Sequence, residues 1–190
     1  MAASSSTSSS GGHWKYDVFL SFRGEDTRKS FVCHLYKALE QKAIRTFIDS
    51  EKLKKGNQIS ELLNAIADSN ISVVVLSQNY ATSAWCLKEV VKIMECCDND
   101  EKKQTVVPIF YEVDPSDVRK LKNKFGAAFT VYEGDPNLDV KEVETWKAAL
   151  KRIANLSGWD SRQYQYVWLY QKGYSSSNHL YFFISSIHKP

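Results

Sequence analysis

Two groups of residues in this chain could act at one chemical site. The first is the segment FRGEDTR, residues 22–28, which places two arginines, two carboxylates and a hydroxyl around a glycine. Guanidinium and backbone N–H groups of this kind bind phosphate oxygens. The second is Trp85 and Glu89, which are four residues apart in AWCLKEVVKIM. A basic loop, an aromatic ring and a carboxylate together suit a nucleotide with a cleavable glycosidic bond.

The elements that would bring these groups together are two buried strands. YDVFLSF, residues 16–22, and ISVVVL, residues 71–76, carry apolar side chains on both faces. Such strands belong in the middle of a parallel sheet that is covered on both sides. The 22–28 loop and the helix predicted for residues 84–97 then both start at the carboxyl edge of that sheet, where α/β proteins bind ligands.

The predicted helix over residues 84–97 has a clear core face. That face is formed by Leu87, Val90, Val91 and Met94. At about 100° per residue, Trp85 and Glu89 project on nearly the opposite side, one turn apart, and we expect Glu89 to be exposed. A surface alternative is that Trp85 packs on a loop while Glu89 pairs with Lys88 or Lys92.

Composition limits the class of protein. The 190 residues are 43% hydrophobic and 25% charged, as in ordinary globular domains, and a net charge of +3 is too small to indicate nucleic acid as a partner. No apolar run is long enough for a membrane span. Residues 1–14 are rich in Ser and Gly, which predicts a disordered arm. The spacing of the four cysteines favours reduced thiols inside the cell and no metal site.

Strand and helix patterns alternate along the rest of the chain, which predicts an α/β fold: a doubly wound parallel sheet with helices on both faces. Asp26 or Thr27 is predicted to cap the first helix. From residue 163 onward the chain is aromatic and has no helical stripe, so residues 163–190 are predicted to form an atypical tail where a closing helix would be expected. The predicted strands cover residues 16–22, 45–48, 71–76 and 105–110, and the predicted helices cover residues 28–42, 84–97, 123–132 and 142–156, with a further helix around residues 59–66.

Several segments, in order, resemble plant Toll/interleukin-1 receptor (TIR) domains. Together they cover roughly residues 15–162. The matching segments are YDVFLSFRGEDTR (16–28), TFID (46–49) with the lysine-rich loop to residue 56, SVVVLSQNYATSAWCLKEV (72–90), VVPIFYEVDPSDVR (106–119), FGAAF (125–129) and ANLSGWDSR (154–162).

This resemblance implies a flavodoxin-like, five-stranded parallel sheet, in which GWD at residues 158–160 is the last edge strand. It also implies cleavage of NAD+ as substrate without a metal, in cytoplasmic or nucleocytoplasmic immune signalling, with Glu89 as the catalytic residue. Cys33 and His34 correspond to a self-association surface, and Cys33 is expected to be exposed. The residues implied to contact NAD+ are Phe22, Arg23, Gly24, Glu25, Asp26, Thr27, Arg28, Gly56 and Trp85.

The residue types suit that reaction. Breaking the bond between ribose and nicotinamide creates an oxocarbenium-like centre, while nicotinamide leaves as a neutral molecule. One carboxylate at position 89 can stabilise the developing positive charge. Arg23 and Arg28, with the backbone around Gly24, are candidates for the pyrophosphate, and Trp85 for stacking on a ring.

Other interpretations remain open at this point. The sequence departs from the TIR pattern at Cys33, at residues 120–124 and at the missing final helix, so a non-catalytic adaptor or decoy that binds other TIR proteins or immune receptors is the alternative. A phosphoacceptor domain fits less well, because it needs clustered aspartates at strand ends. For either TIR reading we expect a weak or conditional homo-oligomer.

Overall fold

A computed structural model of the protein describes residues 14–48 and 59–164. Gly56 and its lysine-rich loop, nearly all of the N-terminal arm and the tail beyond residue 164 lie outside these ranges. Predictions that concern those segments therefore stay predictions. In the two described ranges, every helix is too short or too polar to span a lipid bilayer.

The fold is built on five parallel strands in the order β2-β1-β3-β4-β5. This is the strand order of flavodoxin-like proteins, so the predicted fold class is confirmed. The last strand pairs Trp159 with Ile109 and Asp160 with Phe110, as expected for an edge strand at GWD. The strands are β1 (Tyr16–Phe22), β2 (Thr46–Ile48), β3 (Ser69–Leu76), β4 (Thr105–Phe110) and β5 (Trp159–Asp160).

Helices cover both faces of this sheet. Phe19 of β1 belongs to the same core cluster as residues of α3, α4, α6 and α7, whereas Val18 and Leu20 belong to the cluster that contains residues of α2. The alternation of β1 side chains between two cores is what an apolar central strand requires. The helices are α1 (Gly24–Thr27), α2 (Cys33–Gln41), α3 (Ile59–Ala67), α4 (Ala84–Cys97), α5 (Pro115–Arg119), α6 (Asn123–Glu133) and α7 (Val140–Ile153).

The prediction of one helix over residues 28–42, capped by Asp26 or Thr27, is wrong. Helical structure begins four residues earlier, at Gly24, and a π-helical turn over Arg28–Val32 separates α1 from α2. Ser30 lies outside helical backbone space, with φ −120° and ψ −105°. The Asp26 side chain cannot cap this helix because it is bound to the loop after β3, as described below.

The edge strand β5 depends on a glycine. A Cβ atom on Gly158 would lie 2.5 Å from the Pro108 carbonyl oxygen and 2.7 Å from the Pro108 side chain. We expect Gly158→Ala to lower the free energy of unfolding by about 1–3 kcal/mol, because the carbonyl group and the ring of Pro108 cannot both move away from the new methyl group. Gly134→Ala is the matched control: its nearest neighbour would be 3.5 Å away and its φ is −85°. Equal thermal midpoints for the two variants would contradict the prediction.

Candidate functional site

The candidate site lies where β1 and β3 end side by side, with Phe22 paired to Val75. The loop after β1 leads into α1, and the loop after β3 leads through a 3₁₀ turn, Tyr80–Thr82, into α4. Both loops therefore start at the carboxyl edge of the two central strands, as the sequence predicts.

Asp26 joins these two loops. Its carboxylate accepts hydrogen bonds from Ser77 Oγ at 2.6 Å and from the Asn79 backbone N–H at 3.2 Å. It also accepts one from Arg23 Nη1 at 2.6 Å. Burial raises the pKa of Asp26, but the hydrogen bonds from Ser77, Asn79 and Arg23 outweigh burial and leave the pKa below its usual value. Asp26 thus fixes the geometry of the edge rather than the start of a helix.

The remaining groups of the first loop are engaged within the protein. Arg23 forms a second ion pair with the exposed Glu25. The Arg28 guanidinium lies 4.9 Å from the centre of the Phe22 ring and close to Gly24. Thr27 is buried and donates a hydrogen bond to a backbone carbonyl. A bound anion would therefore have to share these guanidinium groups with carboxylates and a ring that already hold them.

Glu89 does not lie on the surface, so the expectation of an exposed glutamate is wrong. It is 3% exposed, and Ser21 Oγ of β1 donates a hydrogen bond to its Oε2. The side of α4 that carries Glu89 is covered by β1 and by the turn before α4, in addition to the core on its other side. The surface alternative expected Glu89 to pair with Lys88 or Lys92. Instead, Lys88 pairs with Glu142 and Lys92 pairs with Glu95.

Tyr80 completes the surroundings of this carboxylate. Its hydroxyl lies 2.6 Å from Ser21 Oγ and 3.2 Å from the Cys86 carbonyl oxygen. Burial raises the pKa of Tyr80 well above its usual value, and the nearby Cys86 and Glu89 raise it further. The phenol therefore stays protonated and remains a hydrogen-bond donor at neutral pH.

Trp85 is 37% exposed, one turn before Glu89 on α4. This confirms that its ring is not part of the core. One face of α4 thus carries a solvent-accessible ring and, one turn further along the helix, a buried carboxylate. The pair could hold a flat ring at the surface while the carboxylate stabilises positive charge beneath it.

The other predicted site residues are not brought into this group. His34 is exposed near the start of α2, and Cys33 is half-buried rather than exposed. Gly56 lies outside the described residues. Among the residues that the structure does describe, there is no cluster of His, Cys, Asp and Glu side chains that could hold a metal ion.

Sequence reasoning missed the groups that hold Asp26 and Glu89 in place. Ser21 lies near the carboxyl end of β1 and Ser77 directly follows β3, and both are buried. Asn79 and Tyr80 lie in the loop between β3 and α4. The available signal was a small polar residue at the carboxyl end of each central strand, since a buried polar group needs a partner.

Comparison with known proteins finds one matching family model, two similar proteins and one similar structure. The family model described as "TIR domain" matches residues 15–170. TMV resistance protein N of Nicotiana glutinosa is 54% identical over 153 residues, and disease resistance protein RUN1 of Vitis rotundifolia is 56% identical over 146 residues. These matches span 80% and 76% of this chain but only 13% and 11% of those proteins.

A solved structure matches over a similar length. It is the TIR domains in the structure of the activated Roq1 resistosome directly recognizing the pathogen effector XopQ. The TM-score is 0.75 at 46% sequence identity, and the match covers 90% of this chain and 99% of that one. The similarity therefore extends over nearly the whole of a known domain.

Proposed function

The chain belongs to the TIR domain family, and we propose that it is an NAD+ nucleosidase, a hydrolase or cyclase that breaks the nicotinamide–ribose bond. Its similarity to plant disease resistance proteins supports a role for the nucleotide products in plant innate immunity. A cytoplasmic or nucleocytoplasmic location is part of the same proposal. The observation that carries the proposal is that Glu89 is a buried carboxylate one helical turn after Trp85, whose ring is exposed.

The chemistry follows from the burial of the Glu89 carboxylate and the exposure of the Trp85 ring. As the bond between ribose and nicotinamide stretches, positive charge develops on the ribose carbon, and a carboxylate held away from water stabilises that charge more strongly than one in solvent. Nicotinamide departs as a neutral molecule, so no second carboxylate is needed to protonate it. Trp85 would stack on the nicotinamide or adenine ring at the entrance.

The phosphates of the substrate are assigned to the loop after β1. Arg23 and Arg28, with backbone N–H groups near Gly24, supply the positive charge in this proposal. Glu25 and Asp26 already pair with Arg23. Because Asp26 is tied to the β3 loop and Glu25 is exposed, we expect Glu25 to be the partner that a pyrophosphate displaces.

Burial of Glu89 bears on how the activity is controlled. In a single chain Glu89 is 3% exposed, so it cannot contact a ribose until part of its cover moves while the hydrogen bond from Ser21 stays in place. We therefore propose that activity depends on assembly with further TIR domains, either copies of this chain or other TIR proteins and immune receptors. The similarity to TIR domains of an activated resistosome supports this part of the proposal.

The test is release of nicotinamide from NAD+ by the purified full chain. We expect slow release in dilute solution and a rise in rate per molecule as the protein is concentrated or crowded, because more chains are then assembled. Absence of nicotinamide release at every concentration, from protein shown to be folded by circular dichroism, would reject the enzymatic function.

A non-catalytic adaptor or decoy is the second candidate function. It is favoured by the same burial, because an inaccessible carboxylate is compatible with a chain that only binds other TIR domains. The two functions differ in one measurement: binding to a partner TIR domain without nicotinamide release, at any ratio of the two proteins, would identify an adaptor.

Replacing the exposed aromatic ring tests the substrate side of the site. We expect Trp85→Ala to raise KM for NAD+ about fivefold, because stacking on an aromatic ring contributes about 1 kcal/mol beyond burial. Val131→Ala is the control, since Val131 is also an exposed large apolar residue, on α6. An unchanged KM for Trp85→Ala, measured by initial rates of nicotinamide release, would remove Trp85 from the site.

A further inference from the structure

We propose that Ser21 and Tyr80 are positioning residues, which form a hydrogen-bond relay that holds the Glu89 carboxylate in its reactive orientation. The relay is defined here as Tyr80 Oη, Ser21 Oγ and Glu89 Oε2. As a statement about catalysis it rests on the proposed function, but the contact between the three side chains can be tested without any activity.

The relay connects three separate elements. Ser21 lies in β1, Tyr80 in the turn after β3 and Glu89 in the second turn of α4. The Ser21 hydroxyl lies between the other two, 2.6 Å from the tyrosine oxygen and hydrogen-bonded to the carboxylate. Ser21 and Tyr80 are both 0% exposed and Glu89 is 3% exposed. Three buried polar side chains that satisfy one another at a sheet edge form a specific arrangement, because an unpaired buried polar group is costly.

The direction of the hydrogen bonds follows from the number of hydrogens. Each hydroxyl has one hydrogen, and Ser21 donates its own to Glu89. At the 2.6 Å contact between the two hydroxyls, Tyr80 must then be the donor, and it shares its single hydrogen with the Cys86 carbonyl oxygen at the longer distance of 3.2 Å. The high pKa of Tyr80 keeps that proton on the phenol. Both hydrogen bonds of the relay therefore point toward the carboxylate.

Such a relay explains how one end of a flexible side chain is fixed. α4 fixes the backbone of Glu89 but leaves the torsions of its side chain free to rotate. The hydroxyl of β1 restrains the carboxylate, and Tyr80 restrains that hydroxyl. Holding a charged group in its working geometry before the substrate arrives lowers the barrier, and small displacements are costly.

The experiment compares two variants of the relay, Ser21→Ala and Tyr80→Phe, with the same substitution at a buried serine outside the relay. Ser21→Ala is expected to lower kcat for NAD+ cleavage on the order of tenfold per folded molecule, with KM within twofold, because one hydrogen bond to a charged group is lost and no substrate contact changes. Tyr80→Phe is expected to cause a smaller loss, since Ser21 still donates. The double variant is expected to lose less than the product of the two single losses, because Tyr80 acts on the carboxylate through Ser21 and only its hydrogen bond to the Cys86 carbonyl oxygen is independent of Ser21.

Ser72→Ala is the control. Ser72 is equally buried in β3, and its hydroxyl has no hydrogen-bond partner among the residues that the structure describes. This variant removes the same atom from the same sheet and is expected to keep kcat unchanged. A Ser21→Ala protein with the kcat of Ser72→Ala, a rise in KM equal to the fall in kcat, or losses that multiply in the double variant would each overturn the relay.

A second measurement separates failure of the relay from failure of the proposed function. The losses in thermal midpoint for Ser21→Ala and Glu89→Ala are expected to be less than additive when combined, whereas those for Ser72→Ala and Glu89→Ala are expected to add. If the full chain releases no nicotinamide, the proposed function fails and this coupling alone decides the relay. Additive losses for the Ser21 and Glu89 pair would overturn it.

Discussion

Glu89→Gln is expected to lower kcat for NAD+ cleavage by about 10²–10³-fold, with little change in KM, since it removes the charge that stabilises the transition state and keeps the side chain's shape. Glutamine is the informative substitution because Glu89 is buried. Glu89→Ala would also leave the Ser21 hydroxyl without its acceptor, at a cost of about 1–3 kcal/mol in stability. A glutamate on the surface could be replaced by alanine with little loss of stability, but Glu89 is buried.

Glu95→Gln is the matched control for this prediction. Glu95 is on the same helix, is exposed and pairs with Lys92, so the same chemical change there should leave the rate unaltered. Rates of nicotinamide release are compared at equal concentrations of folded protein, above the concentration at which the wild type becomes active. A Glu89→Gln protein as fast as Glu95→Gln would show that Glu89 is not the catalytic residue.

Asp26→Ala is expected to lower the free energy of unfolding by about 3 kcal/mol. The substitution leaves Ser77, the Asn79 backbone N–H and the Arg23 guanidinium without the acceptor that they share. Glu25→Gln is the control, because Glu25 also pairs with Arg23 but its side chain is 79% exposed, against 13% for Asp26. Denaturant unfolding of the two variants measures the difference, and equal losses would contradict the role of Asp26 at the sheet edge.

The same carboxylate should contribute to acid sensitivity. The folded state lowers the pKa of Asp26 below its ordinary value of 3.8. Its stabilising contribution is therefore fully present above about pH 4 and is lost as pH falls through the folded-state pKa. Asp26→Asn should be less stable than the wild type at neutral pH, and the two proteins should become more alike below pH 3.8. A constant difference in unfolding free energy between pH 6 and about pH 3 would rule this out.

Much of the fold could be predicted from the sequence because it depends on local pattern. Apolar residues on both faces of residues 16–22 and 71–76 identify central strands, since only a doubly covered sheet buries both faces. Alternation with helical stripes then limits the topology to a parallel, doubly wound sheet. The first helix was placed wrongly because Asp26, a good capping residue by type, is bound by Ser77 and Asn79, more than 50 positions away.

The sequence by itself determined the sheet, its carboxyl edge and the positions of Trp85 and Glu89 one turn apart. Helical projection uses only neighbours within one helix, so it describes a helix with one buried side. Only the tertiary structure decided that the Glu89 side is also covered, by Ser21 from β1 and Tyr80 from the turn after β3. Hydrogen bonds between residues 59 and 68 positions apart leave no local trace in the pattern, because they depend on where whole elements pack.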